Sequence, residues 1–314
     1  KNLITEKAGA LGLTDAMLAE GLSPTGNHGR IAAAIRKSLA GEPVTLGVIG
    51  GSITQGAPGP GARYLYPRLV CNWLEEQYPQ SSFELVNVAV GATDSLYGVH
   101  RADGQLLSAD PDLVFVEYSA NDPLEPLYDE TYESLCRKIL NWRTKPALMT
   151  VSMCWADFKS TLPIHVKTNR YYDIPLIGYR DAVYMGVMSG KFPWSKQSDD
   201  TVHPNRDGDW LAAQFIIYRL REAQGMMDTA DPPEETLPPA PTANRFEDAA
   251  MLWSKTVGEA AAAVPDAQGD FAPAALTDFF DHQNGWVCAE PHGEPMTFTV
   301  TAGQIGIVFL QYKD

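Results

Sequence analysis

Short apolar runs alternate with helical segments between residues 44 and 225. The runs, rich in valine, leucine and isoleucine, are residues 44–49, 83–90, 113–118 and 147–153. Apolar residues at helical spacing occupy residues 66–77, 132–142, 178–188 and 207–223. A strand that is apolar on both faces must be covered on both faces. The alternation therefore predicts a parallel sheet with helices packed on each side.

Residues 1–43 are predicted to form a helical lead-in to an α/β domain made of residues 44–225. Ile31, Ile35 and Leu39 recur at helical spacing in this lead-in. No internal repeat interrupts the chain, so one domain of this kind is expected in this part of the sequence.

The composition changes after the α/β domain. Residues 226–244 are rich in proline and poor in large apolar residues, which predicts a stiff linker. Residues 245–314 have strand-like runs at 297–300 and 305–312, with glycine and proline between them. They predict a small β module. The segment is short for a β-sandwich, so we expect it to be only part of one.

The acidic balance of the chain limits its partners. The 314 residues carry a formal net charge of -15, with 45% hydrophobic and 20% charged residues. These proportions are typical of a soluble globular protein. A negative surface repels phosphate backbones and anionic lipids, so we expect neither a nucleic-acid nor a membrane partner. A neutral or cationic substrate is favoured, and the sequence does not indicate an oligomeric state.

Cysteine spacing and the N-terminus bear on metal binding and compartment. The cysteines are Cys71, Cys136, Cys154 and Cys288. They form no CxxC pair, so no zinc site is expected. The apolar neighbours of Cys71 and Cys154 favour buried thiols and a reducing compartment, with two disulfides as the alternative. The first residues lack an apolar signal core, which favours a cytoplasmic protein, but the sequence does not begin with Met and so leaves secretion open.

Polar or aromatic residues follow each of the four apolar runs. In open parallel sheets, functional groups gather beyond the carboxyl ends of the strands. Ser52, Gly91, Asn121 and Trp155 are placed there in turn. Ser52 lies in the sequence Gly-Gly-Ser-Ile-Thr, and a serine on such a glycine-rich turn can present its hydroxyl without obstruction. We therefore interpret Ser52 as a nucleophile.

An acid–histidine pair follows much later in the chain. Asp200 precedes His203 by three residues, in the sequence Asp-Thr-Val-His-Pro. A carboxylate at this offset reaches the imidazole of the same turn. Asp199 competes for this role, but the spacing favours Asp200. With Ser52, these residues supply the nucleophile, base and orienting acid that acyl transfer needs.

Other interpretations of these residues are open. Ser52 could cap the helix that follows it. The surrounding glycines suggest a phosphate loop, but neither Gly-Lys-Ser/Thr nor GxGxxG can be aligned. The α/β-hydrolase pattern GxSxG fails because Thr54 takes its last position. His203 could lie in a surface turn before a helix.

Four blocks of the sequence, in order, resemble the conserved blocks of the SGNH (GDSL) hydrolase superfamily. They are Gly-Gly-Ser-Ile-Thr at 50–54, Asn-Val-Ala-Val-Gly at 87–91, Ser-Ala-Asn-Asp at 119–122 and Asp-Thr-Val-His at 200–203. The resemblance covers residues 44–224. It implies a three-layer αβα fold with a flavodoxin-like parallel sheet. It also implies that residues 44–225 are the catalytic domain.

The resemblance assigns roles to the residues of the blocks. It implies that Ser52 is the nucleophile, His203 the base and Asp200 the residue that orients the histidine. The backbone amides of Ser52 and Gly91 and the side chain of Asn121 would form the oxyanion hole. The reaction of this superfamily needs neither a metal nor an organic cofactor.

Two block positions depart from the superfamily pattern, without removing a catalytic group. Gly51 replaces Asp in the first block and Ser119 replaces Gly in the third. In this form the blocks are similar to those of bacterial carbohydrate acetyl esterases, some of which carry a carbohydrate-binding β-sandwich after the catalytic domain. The resemblance implies an acetylated oligosaccharide of the mannan or xylan type as substrate. A lipase or thioesterase, or a carbohydrate-binding protein with a degenerate site, are the alternatives.

Candidate substrate contacts lie near the predicted loops. Aromatic faces stack on sugar rings, and Trp155 and Trp194 are favoured for this role, with Tyr64 next. Arg101 could bond a sugar hydroxyl. The competing interpretation is that the aromatic residues pack in the core and that Arg101 is an exposed helical residue. Glu117, inside a strand, is predicted to be structural.

Overall fold

The computed structural model describes residues 25–56, 64–230, 236–274, 284–289, 292–307 and 309. Most of the predicted lead-in, residues 1–24, lies outside the described residues. Five parallel strands form the central sheet: β1 Val44–Gly50, β2 Phe83–Asn87, β3 Leu113–Glu117, β4 Ala147–Val151 and β5 Leu176–Ile177. Their order is β2-β1-β3-β4-β5. The order reverses at β1, so the end of β1 lies where such sheets place a site.

Helices cover both faces of the sheet. They are α1 Gly29–Leu39, α2 Ser52–Gln55, α3 Tyr66–Gln77, α4 Ser95–Gln105, α5 Pro126–Asn141, α6 Leu162–Tyr171, α7 Tyr179–Met188 and α8 Arg206–Gly225. Short 3₁₀ turns span Leu107–Ala109 and Trp194–Lys196. One hydrophobic core lies beneath α1, α3, α7 and α8, and a second lies beneath α4 and α5. The predicted three-layer αβα architecture is confirmed.

Strand β3 shows why the apolar runs are continuous. Phe115 points into the first core, while Val114 and Val116 point into the second. All five residues of β3 are buried. Because adjacent side chains face opposite cores, a polar residue on either face would be buried without water.

The predicted elements differ from the structure mainly at their ends and where the pattern is weak. β2 ends at Asn87 rather than continuing to residue 90, and β5 was missed because it has only two residues. Helices α4 and α6 were missed as well. Their sequences mix polar residues and glycine or proline with few apolar residues, so helical spacing is not evident.

The C-terminal segment contains a small antiparallel sheet, formed by β6 Phe271–Ala274 and β7 Gly285–Cys288. The predicted small β module is present, but its predicted strands are wrong where they are described. Thr297 makes only an isolated bridge with Ala267. Residues 305–307 and 309 are exposed and not in strands, because no other described segment pairs with them. The remaining residues of the predicted second strand lie outside the described residues.

The described part of the proline-rich segment and the residues after it pack along α5. Arg245 pairs with Glu130 at 2.6 Å, and Arg137 pairs with Glu247 at 2.6 Å. The Pro238 carbonyl also accepts a hydrogen bond from Arg137, at 2.8 Å. The division of the chain into catalytic domain, linker and β module stays a prediction.

Two sequence-based expectations concern the cysteines and the membrane. Cys71 and Cys154 are buried, as predicted, and both are free cysteines in the structure. Within the described ranges, no helix is both long enough and apolar enough to cross a bilayer.

Candidate active site

Ser52 stands directly beyond the carboxyl end of β1, as the first residue of α2. The two glycines before it are closely packed. A methyl group on Gly50 would lie 2.5 Å from the Glu117 carbonyl oxygen, and one on Gly51 would lie 2.4 Å from Asn121 Oδ1. The side chain of Ser52 is half-buried. In this structure, a side chain at position 51 would thus meet the Asn121 carboxamide.

The structure brings Ser52, His203 and Asp200 into one hydrogen-bonded row. His203 Nε2 lies 2.9 Å from Ser52 Oγ, and His203 Nδ1 lies 2.8 Å from Asp200 Oδ2. The Asp199 carboxylate instead accepts from the Asn205 side chain at 2.9 Å. Asn205 also caps the N-terminus of α8. Asp200, and not Asp199, is therefore the residue that orients the imidazole.

The environment of Asp200 keeps its carboxyl group ionised. Burial raises the pKa of Asp200, but hydrogen bonds from Val202 N–H, the His203 ring and His203 N–H outweigh burial and place the pKa below its ordinary value. An ionised Asp200 accepts a hydrogen bond from Nδ1–H and so fixes the tautomer of His203. The lone pair of Nε2 then faces the Ser52 hydroxyl.

The three candidate oxyanion donors are grouped around Ser52, but they are not equally available. Ser52 begins α2, so its N–H has no acceptor within that helix. The Asn121 carboxamide packs on Gly51 and makes no hydrogen bond to another described residue. The Gly91 N–H donates to Gln55 Oε1 at 2.9 Å. Gln55 was missed in the sequence analysis, because nothing in its sequence position distinguishes a glutamine that bonds Gly91 from one that is exposed on a helix.

A second acid–histidine pair lies behind the candidate donors. Asp122, next to Asn121, accepts from Ser95 N–H at 2.8 Å and pairs with His165 Nε2 at 2.9 Å. Both side chains are buried, and the His165 ring stacks on Tyr132 with centroids 3.6 Å apart. Because Ser95 begins α4, this pair joins the loops that follow β2 and β3. The pair was missed because 43 residues separate its members.

Ser119, the second departure from the superfamily pattern, has a structural partner in Glu117. The Ser119 hydroxyl donates to Glu117 Oε1 at 3.0 Å and accepts from Met153 N–H at 2.6 Å. It therefore connects the ends of β3 and β4. Glu117 is fully buried, and burial raises its pKa to about 7 against the hydrogen bond from Ser119.

Trp155 is placed at the rim of the candidate site. Its indole is 42% exposed, and Nε1 donates to the Ala120 carbonyl at 2.9 Å. The next residue, Ala156, donates its N–H to the Thr201 carbonyl at 2.7 Å. The loop after β4 is thereby fixed both to the loop that carries Asn121 and to the loop that carries His203.

Trp194 and Tyr64 lie beside the same loops. Trp194 is half-buried, its Nε1 donates to the Asp200 carbonyl at 2.7 Å, and Phe158 packs edge-on to its ring at 6.1 Å. Tyr64 is half-buried, with the guanidinium of Arg206 4.1 Å from its ring centroid. Both aromatic residues therefore flank the turn that begins at Asp200 and leads into α8.

Arg101 lies elsewhere. It is fully buried in α4. Its guanidinium donates to the Val88 carbonyl, to Gln105 at 2.7 Å and to the Tyr118 hydroxyl at 3.3 Å. No surface of Arg101 is left for a sugar, so it forms no part of the candidate substrate site.

This architecture is that of the SGNH hydrolases: a parallel αβα sheet with functional loops after the first three strands and an acid–histidine turn before the last helix. No protein-family model matches the sequence, and no curated protein matches it. Two similar solved structures are those of a two-domain esterase active on acetylated mannans. The structure co-crystallised with mannopentaose has a TM-score of 0.76 and 27% identity, and the match covers 87% of this chain and 72% of that chain. The second has a TM-score of 0.75 and 28% identity over the same shares of both chains. This likeness supports a hydrolase of the esterase kind.

Proposed function

We propose that this protein is a serine esterase that removes O-acetyl groups from oligo- or polysaccharides of the mannan or xylan type. The observation that carries the proposal is the row of two hydrogen bonds, 2.9 Å from Ser52 Oγ to His203 Nε2 and 2.8 Å from His203 Nδ1 to Asp200 Oδ2. This geometry is that of a nucleophile, its general base and the acid that orients the base.

The proposed reaction begins with transfer of the Ser52 proton to His203 Nε2 as Ser52 Oγ attacks the acetyl carbonyl carbon. The C–O bond to the sugar breaks when His203 returns this proton to the leaving sugar oxygen. An acetyl group is then esterified to Ser52. Water, deprotonated by the same histidine, releases acetate and restores the serine hydroxyl. Ionised Asp200 stabilises the imidazolium that forms in each half of the reaction.

Negative charge develops on the carbonyl oxygen when Ser52 attacks. The Ser52 N–H and the Asn121 carboxamide are the donors that we assign to this oxygen, with the Gly91 N–H as a third. A donor of this kind contributes on the order of a hundredfold or more to the rate. The packing of Asn121 on Gly51 holds its carboxamide beside the nucleophile.

The proposal of an acetylated carbohydrate rests on two points. The two similar solved structures belong to an esterase active on acetylated mannans. Trp155 also offers an exposed aromatic face at the rim of the site, and Trp194 lies beside the acid–histidine turn. An indole face of this kind is a better partner for the apolar face of a sugar ring than for a flexible acyl chain.

The test is release of acetate from acetylated mannan, xylan and pectin fragments by the wild-type protein and Ser52→Ala. We expect wild-type activity on at least one glycan and none above background in Ser52→Ala, with the melting temperature almost unchanged. Ser189→Ala is the matched control, because Ser189 is an exposed serine at the end of α7. Full activity of Ser52→Ala would end the proposal.

Substrate chain length separates this proposal from a lipase or thioesterase. We expect p-nitrophenyl acetate to be hydrolysed at least tenfold faster than p-nitrophenyl octanoate, measured as kcat/KM. A preference for the octanoyl ester would instead assign the protein to acyl-chain substrates. Labelling of Ser52 by a fluorophosphonate separates both enzymes from a binding protein with a dead site.

A further inference from the structure

The side chain of Gln55 accepts a hydrogen bond from one of the candidate oxyanion donors, the Gly91 N–H. It is the last residue of α2, three residues after Ser52, and its Oε1 accepts the Gly91 N–H at 2.9 Å. A methyl group on Gly91 would lie 2.7 Å from Gln55 Oε1 and 3.5 Å from Ser52 Cβ. The side-chain oxygen of Gln55 and the side chain of the nucleophile therefore both lie close to Gly91.

The loop that carries Gly91 is also held by hydrogen bonds that do not involve the Gln55 side chain. Asn87 Nδ2 donates to the Thr54 carbonyl at 2.9 Å, and Asn87 Oδ1 accepts from Ala89 N–H at 3.0 Å. Val90 N–H also donates to the Gly50 carbonyl at 3.0 Å. Asn87 thus joins α2 to the loop after β2, so the bond from Gly91 to Gln55 is additional to the contacts that hold the loop.

The Gln55 oxygen and a substrate oxygen are alternatives at the same N–H. An ester carbonyl is a weaker acceptor than the carbonyl of an amide, so it does not readily displace Gln55 in the ground state. The oxyanion carries charge, and hydrogen bonds to ionised acceptors are roughly twice as strong as neutral ones. Exchange therefore becomes favourable only as charge develops, which stabilises the transition state and not the bound substrate.

We propose that Gln55 holds the Gly91 amide in the resting site and gives it up to the oxyanion, so that Gln55 determines when this donor takes part in the reaction. This inference rests on the proposed esterase activity of the same site. Gln55 is not assigned a bond to the substrate. It acts through Gly91, because the hydrogen bond between Gly91 and Gln55 has to break before the Gly91 N–H can bind the oxyanion.

The first test replaces Gln55 by a residue of similar size without an acceptor. In Gln55→Leu we expect kcat/KM for p-nitrophenyl acetate to rise by roughly two- to tenfold, the fold-change that one typical net hydrogen bond corresponds to. Gln77→Leu is the control, because Gln77 is an exposed glutamine at the end of α3. A tenfold fall in kcat/KM with unchanged melting temperature would overturn the inference, since Gln55 would then support the donor.

Gln55→Glu tests the same idea in the opposite direction. A carboxylate would bind the Gly91 N–H more strongly than an amide oxygen and would repel the developing charge. We expect kcat/KM to fall on the order of a hundredfold at neutral pH. Activity equal to that of the wild type would contradict the inference.

Amide hydrogen exchange at Gly91 gives a readout that needs no activity. With ¹⁵N-glycine labelling, we expect the Gly91 amide to be protected in the wild type and to exchange at least tenfold faster in Gln55→Leu. Equal exchange in both proteins would show that Gln55 does not hold the amide, whatever the enzyme hydrolyses. If the wild type hydrolyses no ester while this difference is found, the proposed function is wrong, but the conclusion that Gln55 holds the Gly91 amide remains valid.

Discussion

A side chain at position 51 and the Asn121 carboxamide compete for the same space. A methyl group on Gly51 would lie 2.4 Å from Asn121 Oδ1 and 3.1 Å from Asn121 Nδ2. A real Cβ atom essentially never approaches a non-bonded atom to 2.4 Å. The residue before the nucleophile therefore sets the position of a candidate oxyanion donor, although it touches no substrate itself.

Gly51→Ala is expected to reduce activity by displacing Asn121. The clash is with the end of a flexible side chain, so the carboxamide moves while the fold persists. We expect kcat to fall by roughly ten- to a hundredfold, with little change in melting temperature. Asn121→Ala alone should cost roughly 10²–10³-fold, as is typical of an oxyanion donor.

The double variant checks this pathway. If Gly51→Ala acts only through Asn121, then Gly51→Ala combined with Asn121→Ala should be no slower than Asn121→Ala alone. Losses that multiply in the double variant would mean that Gly51 affects the nucleophile directly. The measurement is kcat on p-nitrophenyl acetate for the four proteins of the cycle.

Asp200→Asn should leave the fold intact and remove most of the activity. An amide at this position does not hold the His203 tautomer as a carboxylate does, so Nε2 ceases to be a reliable acceptor. We expect kcat to fall by roughly 10³–10⁴-fold. In Asp199→Asn, where the side chain bonds Asn205 instead, the change should be less than threefold. Equal losses in the two variants would contradict the assignment.

The buried carboxyl of Glu117 is expected to make folding stability depend on pH. Its folded-state pKa, about 7, is above the ordinary value of 4.5 because of burial. Asp122 and the phenol of Tyr66 face the same region, and Asp209, with a pKa of about 8, faces Tyr66. The stabilisation is fully present below the ordinary pKa and is lost as pH rises through the folded-state value.

The measurement is the free energy of unfolding in urea at pH 5 and pH 8. The wild type should lose roughly 1–3 kcal/mol more than Glu117→Gln over this interval, since Gln cannot ionise. Glu117→Gln should keep a smaller loss in the same direction, contributed by Asp209. An identical dependence on pH in both proteins would show that Glu117 does not titrate in this interval.

Trp155 is expected to contribute to binding of the glycan and not to chemistry. In Trp155→Ala, KM for an acetylated oligosaccharide should rise by roughly two- to tenfold, in line with the loss of one aromatic contact. The kinetics of p-nitrophenyl acetate, which has no sugar ring to stack, should change little. An equal loss on both substrates would mean that Trp155 supports the loops through its bond to the Ala120 carbonyl.

The sheet and the residues of the candidate active site were predictable from the sequence because strands, turns and the spacing within each block are local patterns. A run such as β3, whose first four residues are all apolar, has to be buried on both faces, and the positions that follow parallel strands have to meet at one edge. The Asp200–His203 pair lies within one turn, so its spacing alone indicates the contact. These features follow from the order of residues and from the geometry of strands and turns.

Only the tertiary structure decided which side chains from distant segments contact each other. Arg101 was expected to contact a sugar or to lie exposed on a helix, but the Val88 carbonyl and Tyr118 provide acceptors that allow its burial. The exclusion of a side chain at Gly51 and the capture of the Gly91 amide by Gln55 arise only when three loops meet. Sequence therefore determined which groups stand at the sheet edge. Packing determined which of them are open to a substrate, because hydrogen-bond partners and excluded volume between loops are set by distances that no local pattern encodes.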